Sequence, residues 1–106
     1  ISGGENIYPV QIEDFLRSNN KIKDVAVIGL PDHRLGEITA AIIELKPEAQ
    51  CDEEEIAEFC KAMPRYKRPH KIIFADVPRN PTGKIEKPKL RKIYCGESLV
   101  ATQLKG

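Results

Sequence analysis

The sequence predicts a small α+β domain in which a three-stranded sheet carries helices on both faces. Residues 38–45 are apolar on both sides of an extended strand, and two buried faces require cover on both sides. The segments 9–18 and 52–63 instead repeat apolar residues at helical spacing. The length of 106 residues and the hydrophobic fraction of 41% fit one globular domain that folds alone.

Both of these predicted helices have a start signal in the sequence. Pro9 suits the first position of a helix, where its missing N–H costs no hydrogen bond. Asp52 and Glu55 form a capping-box-like start, and Glu53 to Glu55 complement the positive end of the helix dipole. Pro64 ends the second helix. The residues expected to face the core are Ile12, Phe15 and Leu16 in the first helix, and Ile56, Phe59, Cys60 and Met63 in the second.

Three strands are predicted, at 25–28, 38–45 and 72–75, because each segment is rich in β-branched residues and lies between polar or turn-forming segments. A polar linker at 19–23 precedes the first strand. A loop at 31–36 separates the first strand from the second.

A last short helix is predicted to begin at Pro88. Its expected core-facing residues are Leu90, Ile93 and Tyr94. Residues 96–106 show no periodicity and are predicted to be a loose tail, so the domain is expected to span residues 1–95.

The charge of the chain is nearly balanced, with a formal net charge of +1, and general binding to nucleic acid is not implied. Residues 48–58 are acidic and residues 61–92 are basic. The basic half fits either a solubilising surface or a surface that meets nucleotide phosphates. No apolar run approaches the roughly 20 residues of a membrane span, and no signal peptide is visible.

The cysteines and histidines predict no metal site and no catalytic centre. Cys51, Cys60 and Cys95 are odd in number and lack CxxC spacing, which argues against a disulfide framework or a zinc site and fits a reducing cytoplasm. His33 and His70 lie far apart in sequence, and neither has an obvious nucleophile partner. The chain contains no P-loop either. Alone, this domain is expected to carry out no chemistry.

One lysine stands out because it follows a rigid turn. In the segment 78–85, PRNPTGKI, the two prolines restrict the backbone and Gly83 can adopt a positive φ. Lys84 is therefore predicted to project from a turn and to reach anionic oxygens in another site. The alternative is a solvated lysine that follows a type II turn.

Four segments in order resemble one known domain. They are SGGENIYP at 2–9 followed by IE at 12–13, PDHRLGE at 31–37, YKRP at 66–69, and PRNPTGKI at 78–85. Together they resemble the C-terminal domain of the adenylate-forming superfamily, which includes acyl-CoA synthetases, luciferases and peptide-synthetase adenylation domains. The resemblance covers residues 1 to about 92, and the SGGENIYP form is similar to the CoA ligases.

The resemblance implies a function that this chain shares with a larger N-terminal domain, absent from this chain, which binds ATP, Mg²⁺ and a carboxylic acid. The lid formed by the C-terminal domain first closes for formation of an acyl-adenylate, then rotates so that the CoA thiol attacks it. The resemblance matches Lys84 to the adenylation lysine, and Ser2, Gly3 and Gly4 to the loop that lines the pantetheine tunnel. The other matched positions are Lys67 and Arg34 as phosphate neighbours, and Glu37 and Tyr66 as structural or interdomain contacts.

Two rival interpretations remain open at this point. The first is an adenylation-domain lid that loads the thiol of a carrier protein in place of CoA. The second is a free-standing domain that binds nucleotides or regulates a partner without catalysis. The sequence upstream of Ile1 would discriminate the second from the synthetase interpretation.

Overall fold

The computed structural model describes residues 9–34 and 36–94, and the predictions for Ser2, Gly3, Gly4, Cys95 and the tail at 96–106 lie outside this part of the chain. Within it, the sheet has the order β1-β2-β3, with β2 antiparallel to β1 and parallel to β3. The elements in chain order are α1 (Pro9–Arg17), β1 (Ile22–Asp32), β2 (Gly36–Leu45), α2 (Glu53–Cys60), a short 3-10 helix (Arg65–Lys67), β3 (Lys71–Phe74) and α3 (residues 87–94).

The hairpin of β1 and β2 is longer than the sequence predicts. The pairing runs from Ile22 opposite Leu45 to Asp32 opposite Gly36. The predicted linker at 19–23 and the predicted loop at 31–36 are therefore partly wrong, because the ladder to β2 extends β1 at both ends. Pro31 is tolerated in β1 because the strand lies at the edge of the sheet, where a missing N–H costs little.

Alternation along the strands divides the core into two clusters, one on each face of the sheet. On the first face α1 and α2 pack over the strands through Ile12, Leu16, Val25, Val27, Ala41, Ile43, Ile56, Cys60 and Met63. On the second face α3 and the segment after β3 pack over the strands through Ala26, Ile28, Leu30, Ala40, Ile42, Val77 and Leu90. The predicted three-stranded sheet with helices on both faces is confirmed.

The helices follow the sequence signals with two differences, one in the end of α2 and one in the burial of α3. Asp52 is the N-cap of α2, and its side chain accepts a hydrogen bond of 2.8 Å from the Glu55 N–H, as predicted. The helix ends at Cys60, earlier than expected, although Met63 is still buried. In α3, Leu90 is buried as predicted, but Ile93 is 42% exposed and does not face the core.

The open edge of β1 is covered by polar side chains of α1. Glu13 is buried and accepts a hydrogen bond of 2.8 Å from the Val27 N–H. It also forms an ion pair of 2.7 Å with the Lys87 Nζ atom. One helical turn later, Arg17 donates to the Val25 carbonyl at 3.3 Å. Both side chains lie on the same face of α1, and they satisfy backbone groups that would otherwise invite another strand. Glu13 also ties α3 to the sheet.

We expect Glu13→Ala to lower the free energy of unfolding of the chain by about 1–3 kcal/mol, because the buried Val27 N–H loses its acceptor. The neighbouring Asp14→Ala is the matched control. Asp14 forms only an exposed ion pair with Arg17, at 3.5 Å, so its loss should change stability by less than about 0.5 kcal/mol. Urea unfolding of both variants checks this, and equal losses would contradict it.

Candidate functional site

A small hairpin at residues 79–85 presents the predicted site lysine. Arg79 and Ile85 form an antiparallel bridge, the Asn80 N–H donates to the Lys84 carbonyl at 2.9 Å, and the Gly83 N–H donates to the Asn80 carbonyl at 2.8 Å. Gly83 has a φ of 88° and Thr82 has no positive φ. The loop is therefore a type I turn followed by a left-handed glycine, and the type II turn of the sequence-based alternative is wrong.

Asn80 organises this turn with its side chain. Its Oδ1 atom accepts hydrogen bonds from the Thr82 N–H at 3.0 Å, the Thr82 hydroxyl at 2.6 Å and the Lys84 N–H at 3.0 Å. A short amide side chain that bonds to its own turn is typical of asparagine in such positions. The backbone before Lys84 is thus ordered by contacts within the hairpin.

The Lys84 side chain leaves this ordered backbone and is exposed. None of the ion pairs formed among residues 9–34 and 36–94 includes Lys84. An ammonium without an internal carboxylate partner keeps its charge and its three donors for an anion that comes from outside the domain.

A buried carboxylate fixes the base of the hairpin to the sheet. The Arg79 guanidinium donates to both oxygens of Asp24, at 2.6 Å from Nε and 3.0 Å from Nη2, and its Nη1 atom donates to the Gly83 carbonyl. The Asp24 side chain is only 12% exposed, and it also accepts from the Val25 N–H at 2.9 Å and lies 3.7 Å from Arg17.

These contacts govern the ionisation of Asp24. Burial raises the pKa of the Asp24 carboxyl, but the hydrogen bonds from Arg79 and from the Val25 N–H, with the charges of Arg79 and Arg17, outweigh burial. The pKa of Asp24 therefore lies below its ordinary value of 3.8, and the carboxylate is charged at neutral pH.

Of the two predicted phosphate neighbours, Arg34 and Lys67, Arg34 lies at the end of the sheet opposite the hairpin. Arg34 is in the turn between β1 and β2, where its N–H donates to the Asp32 side chain at 3.0 Å. Asp32 lies eight residues along β1 from Asp24, a span of about 26 Å at the usual rise of a strand. Lys67 lies four residues before β3, whose first residue, Lys71, pairs with Ala40 of β2. Lys84 and Arg34 therefore do not form one cluster.

Two further residues of the motifs have structural contacts. Arg68, which the sequence analysis did not single out, donates to the carbonyls of Met63 and Lys61 at 3.0 Å each and so binds the carbonyl end of α2. Arg68 lies eight residues beyond the end of α2, so no local sequence signal indicated this contact. Glu37 lies over Gly29, where an added Cβ atom would approach the Glu37 carboxyl group to 2.5 Å. This close approach fits the structural role expected for Glu37.

Lys67 lies close to the ring of its exposed neighbour, Tyr66. Tyr66 is 57% exposed, and the Lys67 Nζ atom lies 5.8 Å from the centre of its ring, within cation–π range. The pair leaves an aromatic face and a cation together on the surface.

Among residues 9–34 and 36–94, the remaining chemistry-bearing groups add no second site. No group of three or more His, Cys, Asp and Glu residues within 9–34 and 36–94 could hold a metal ion. Burial raises the pKa of the Cys60 thiol to about 11, so this core thiol is protonated and not a nucleophile. No helix in the described part of the chain is long and apolar enough to cross a membrane.

Comparisons with known proteins agree on one family. The family described as AMP-binding enzyme C-terminal domain matches residues 11–84. A long-chain-fatty-acid–CoA ligase of Mycobacterium tuberculosis is 50% identical over 96 residues, which cover 89% of this chain and 19% of the relative. The chain thus spans about a fifth of the length of the curated relative it matches.

Solved structures give the same result. A fatty acyl CoA synthetase of Mycobacterium tuberculosis superposes with a TM-score of 0.84 at 48% identity, over 92% of this chain and 20% of that chain. ATP-bound MatB of Rhodopseudomonas palustris superposes with a TM-score of 0.83 at 34% identity, over 90% of this chain and 19% of that chain.

The lowered pKa of Asp24 predicts a pH dependence of stability. A carboxyl whose pKa is lower in the folded chain stabilises the fold above its unfolded pKa of 3.8, and this contribution is lost as the pH falls through the folded value. We expect Asp24→Asn to be less stable than the parent chain at pH 7 and to lose less stability on acidification below about pH 4. Urea unfolding over this range tests it. Parallel pH profiles of the two chains would contradict the Asp24 interaction.

Proposed function

The chain belongs to the family of AMP-binding enzyme C-terminal domains, and we propose that it is the lid of an ATP-dependent carboxylic acid–CoA ligase. The proposed reaction converts an acid, ATP and CoA to acyl-CoA, AMP and pyrophosphate through an acyl-adenylate. The observation that carries this proposal is the exposed Lys84 on an ordered hairpin, without an ion pair among the described residues. The fatty-acid–CoA ligase that is half identical to this chain supports the choice of reaction.

The proposed role of Lys84 follows from the charges of the reactants. In the first half-reaction a carboxylate must approach the α-phosphate of ATP, and both groups are anions. An ammonium between them offsets their repulsion and stabilises the charge that develops in the transition state. A lysine carried by a mobile domain can act in this step and then leave, whereas a fixed cation would also stabilise the adenylate and hinder its further reaction.

The proposal includes a partner domain, because this chain spans about a fifth of the length of its matched relative. That larger N-terminal domain would bind ATP, the carboxylic acid and the Mg²⁺ ion that accompanies ATP. The isolated chain is accordingly expected to release no pyrophosphate from ATP and acid. The free thiols of Cys51 and Cys60 fit a reducing, cytoplasmic location of the whole enzyme.

We assign the second half-reaction to other residues. Ser2, Gly3 and Gly4 are proposed to line the path of the CoA pantetheine arm, on the basis of the SGGENIYP resemblance. Arg34 and Lys67 are proposed as phosphate neighbours. The separation of Arg34 from Asp24 along β1 suits Arg34 to an orientation of the domain in which Lys84 has left the reacting atoms.

Replacing the lysine should separate the two half-reactions. In the full-length protein that carries this domain, Lys84→Ala should slow adenylate formation by at least about 100-fold, because a transition-state cation is lost. Thioester formation from supplied acyl-adenylate should be largely unchanged. Lys89→Ala, which removes another exposed lysine of the same region, is the matched control and should leave both steps intact. Equal loss in both steps would contradict the assignment of Lys84 to adenylation.

A substitution in the SGG segment should give the complementary result. Gly3 lies outside the described residues, so this prediction rests on the resemblance. A leucine at Gly3 would fill space needed by pantetheine and restrict the backbone, so Gly3→Leu should block acyl-CoA formation and spare pyrophosphate release from the first step. Both products are measured on one preparation, with CoA and then a carrier-protein thiol as acceptor. Acyl-CoA formation at the wild-type rate would overturn the role of Gly3, and preferential loading of the carrier protein would overturn the choice of CoA.

A further inference from the structure

We propose that Arg79 is a positioning residue for Lys84, which it holds in place by joining the hairpin at residues 79–85 to Asp24. The inference rests on the proposed function, because it concerns the adenylation step that is assigned to Lys84. Arg79 itself is not proposed to contact substrate.

The contacts of the Arg79 guanidinium carry the inference. Two of its nitrogens donate to the two oxygens of Asp24, at 2.6 and 3.0 Å, and the third donates to the Gly83 carbonyl. Gly83 immediately precedes Lys84, so one rigid planar group connects the sheet to the backbone from which the ammonium side chain departs.

The hairpin has few other contacts that could fix its direction. Residues 81–84 are exposed, and the bonds of Asn80 are internal to the turn. Beyond Arg79, the link to the domain consists of the partly buried Ile85, which packs against the second core cluster, and the hydrogen bond of 3.0 Å from the Glu86 N–H to the Pro78 carbonyl. These contacts lie at the base of the hairpin. Without the guanidinium, the hairpin would be free to pivot there.

The other end of the connection is rigid. Asp24 lies in β1, is largely buried, and is itself oriented by the hydrogen bond of 2.9 Å from the Val25 N–H. Lysine in place of Arg79 would keep the charge but lose the fork that bridges Asp24 and Gly83. Because a misplacement of about 1 Å costs catalysis about 100-fold, a rigid connection of this kind matters for a cation that must meet two anions.

A pair of arginines on the same carboxylate provides a matched test. Arg17 and Arg79 both approach Asp24, but only Arg79 contacts the hairpin. In the full-length protein, Arg79→Gln should slow adenylate formation at saturating substrates by about 10- to 100-fold. Thioester formation from supplied acyl-adenylate should stay within about twofold of wild type, since it does not use Lys84. Arg17→Gln should change neither rate by more than about twofold. Arg79→Lys should be impaired in the same step, and it provides the charge-retaining variant should Arg79→Gln not fold.

A double-mutant cycle separates positioning from a general structural role. If Arg79 acts through Lys84, Arg79→Gln should cause no further loss of adenylation in a Lys84→Ala background. Additional loss in that background, equal loss in both half-reactions, or a wild-type adenylation rate in Arg79→Gln would each overturn the inference. The Lys84→Ala single variant distinguishes this failure from that of the proposed function. Wild-type adenylation by Lys84→Ala overturns both, whereas its loss beside an unimpaired Arg79→Gln overturns the role of Arg79 alone.

Discussion

The ion pair between Asp24 and Arg79 joins parts of the chain that lie 55 residues apart, and the position of the site depends on it. Asp24 is at the start of the first strand, whereas Arg79 opens the hairpin that carries Lys84. The pair lies beside the free edge of β1, where Glu13 and Arg17 form hydrogen bonds with the Val27 N–H and the Val25 carbonyl. One polar edge therefore does two things: it protects an edge strand from pairing, and it orients the segment that follows the sheet.

The ion pair between Asp24 and Arg79 contributes more to fixing the orientation of the hairpin than to the free energy of unfolding. A carboxylate that is only 12% exposed, as in Asp24, loses most of its hydration, and its pairing mainly offsets that loss. The bonds are directional, however, and within residues 9–34 and 36–94 no buried side-chain nitrogen or oxygen lacks a partner. Loss of Arg79 leaves the largely buried Asp24 carboxylate with only the Val25 N–H and the more distant Arg17, so the network favours one arrangement of the strand and the hairpin.

The sequence predicts the parts of this structure that depend on periodicity. The two faces of residues 38–45 and the Asp52 cap follow from alternation and from local capping chemistry, and both are confirmed. The lengthening of β1 through Pro31 does not follow, because pairing with β2 overrides the local turn signal. Ile93 is exposed although its spacing suggests a core position, because the short α3 buries only a narrow stripe around Leu90.

The polar connections are the part that the sequence could not predict. Glu13, Asp24 and Arg79 belong to no apolar repeat, and the contacts Glu13–Val27, Asp24–Arg79 and Glu13–Lys87 span 14, 55 and 74 residues of the chain. Charged residues of a small domain are usually solvated, so composition alone gave no reason to join these three. The motif around Lys84 marked the right segment, but it could not indicate that the arginine five positions earlier contacts both the sheet and the residue before the lysine.

The layout of the sheet gives a physical reason for a domain that changes orientation in the proposed reaction. The hairpin with Lys84 is held near Asp24, and Arg34 follows Asp32 at the far end of the same strand. A rigid body of this length cannot bring both ends to one set of reacting atoms, since about 26 Å of strand lies between them. Rotation of the whole domain would replace Lys84 with Arg34 at the reacting atoms without rearranging the core. Because Lys84 is held still relative to the sheet, it would move away with the domain when the domain turns. Its positive charge would then no longer stabilise the adenylate and hinder attack by the thiol.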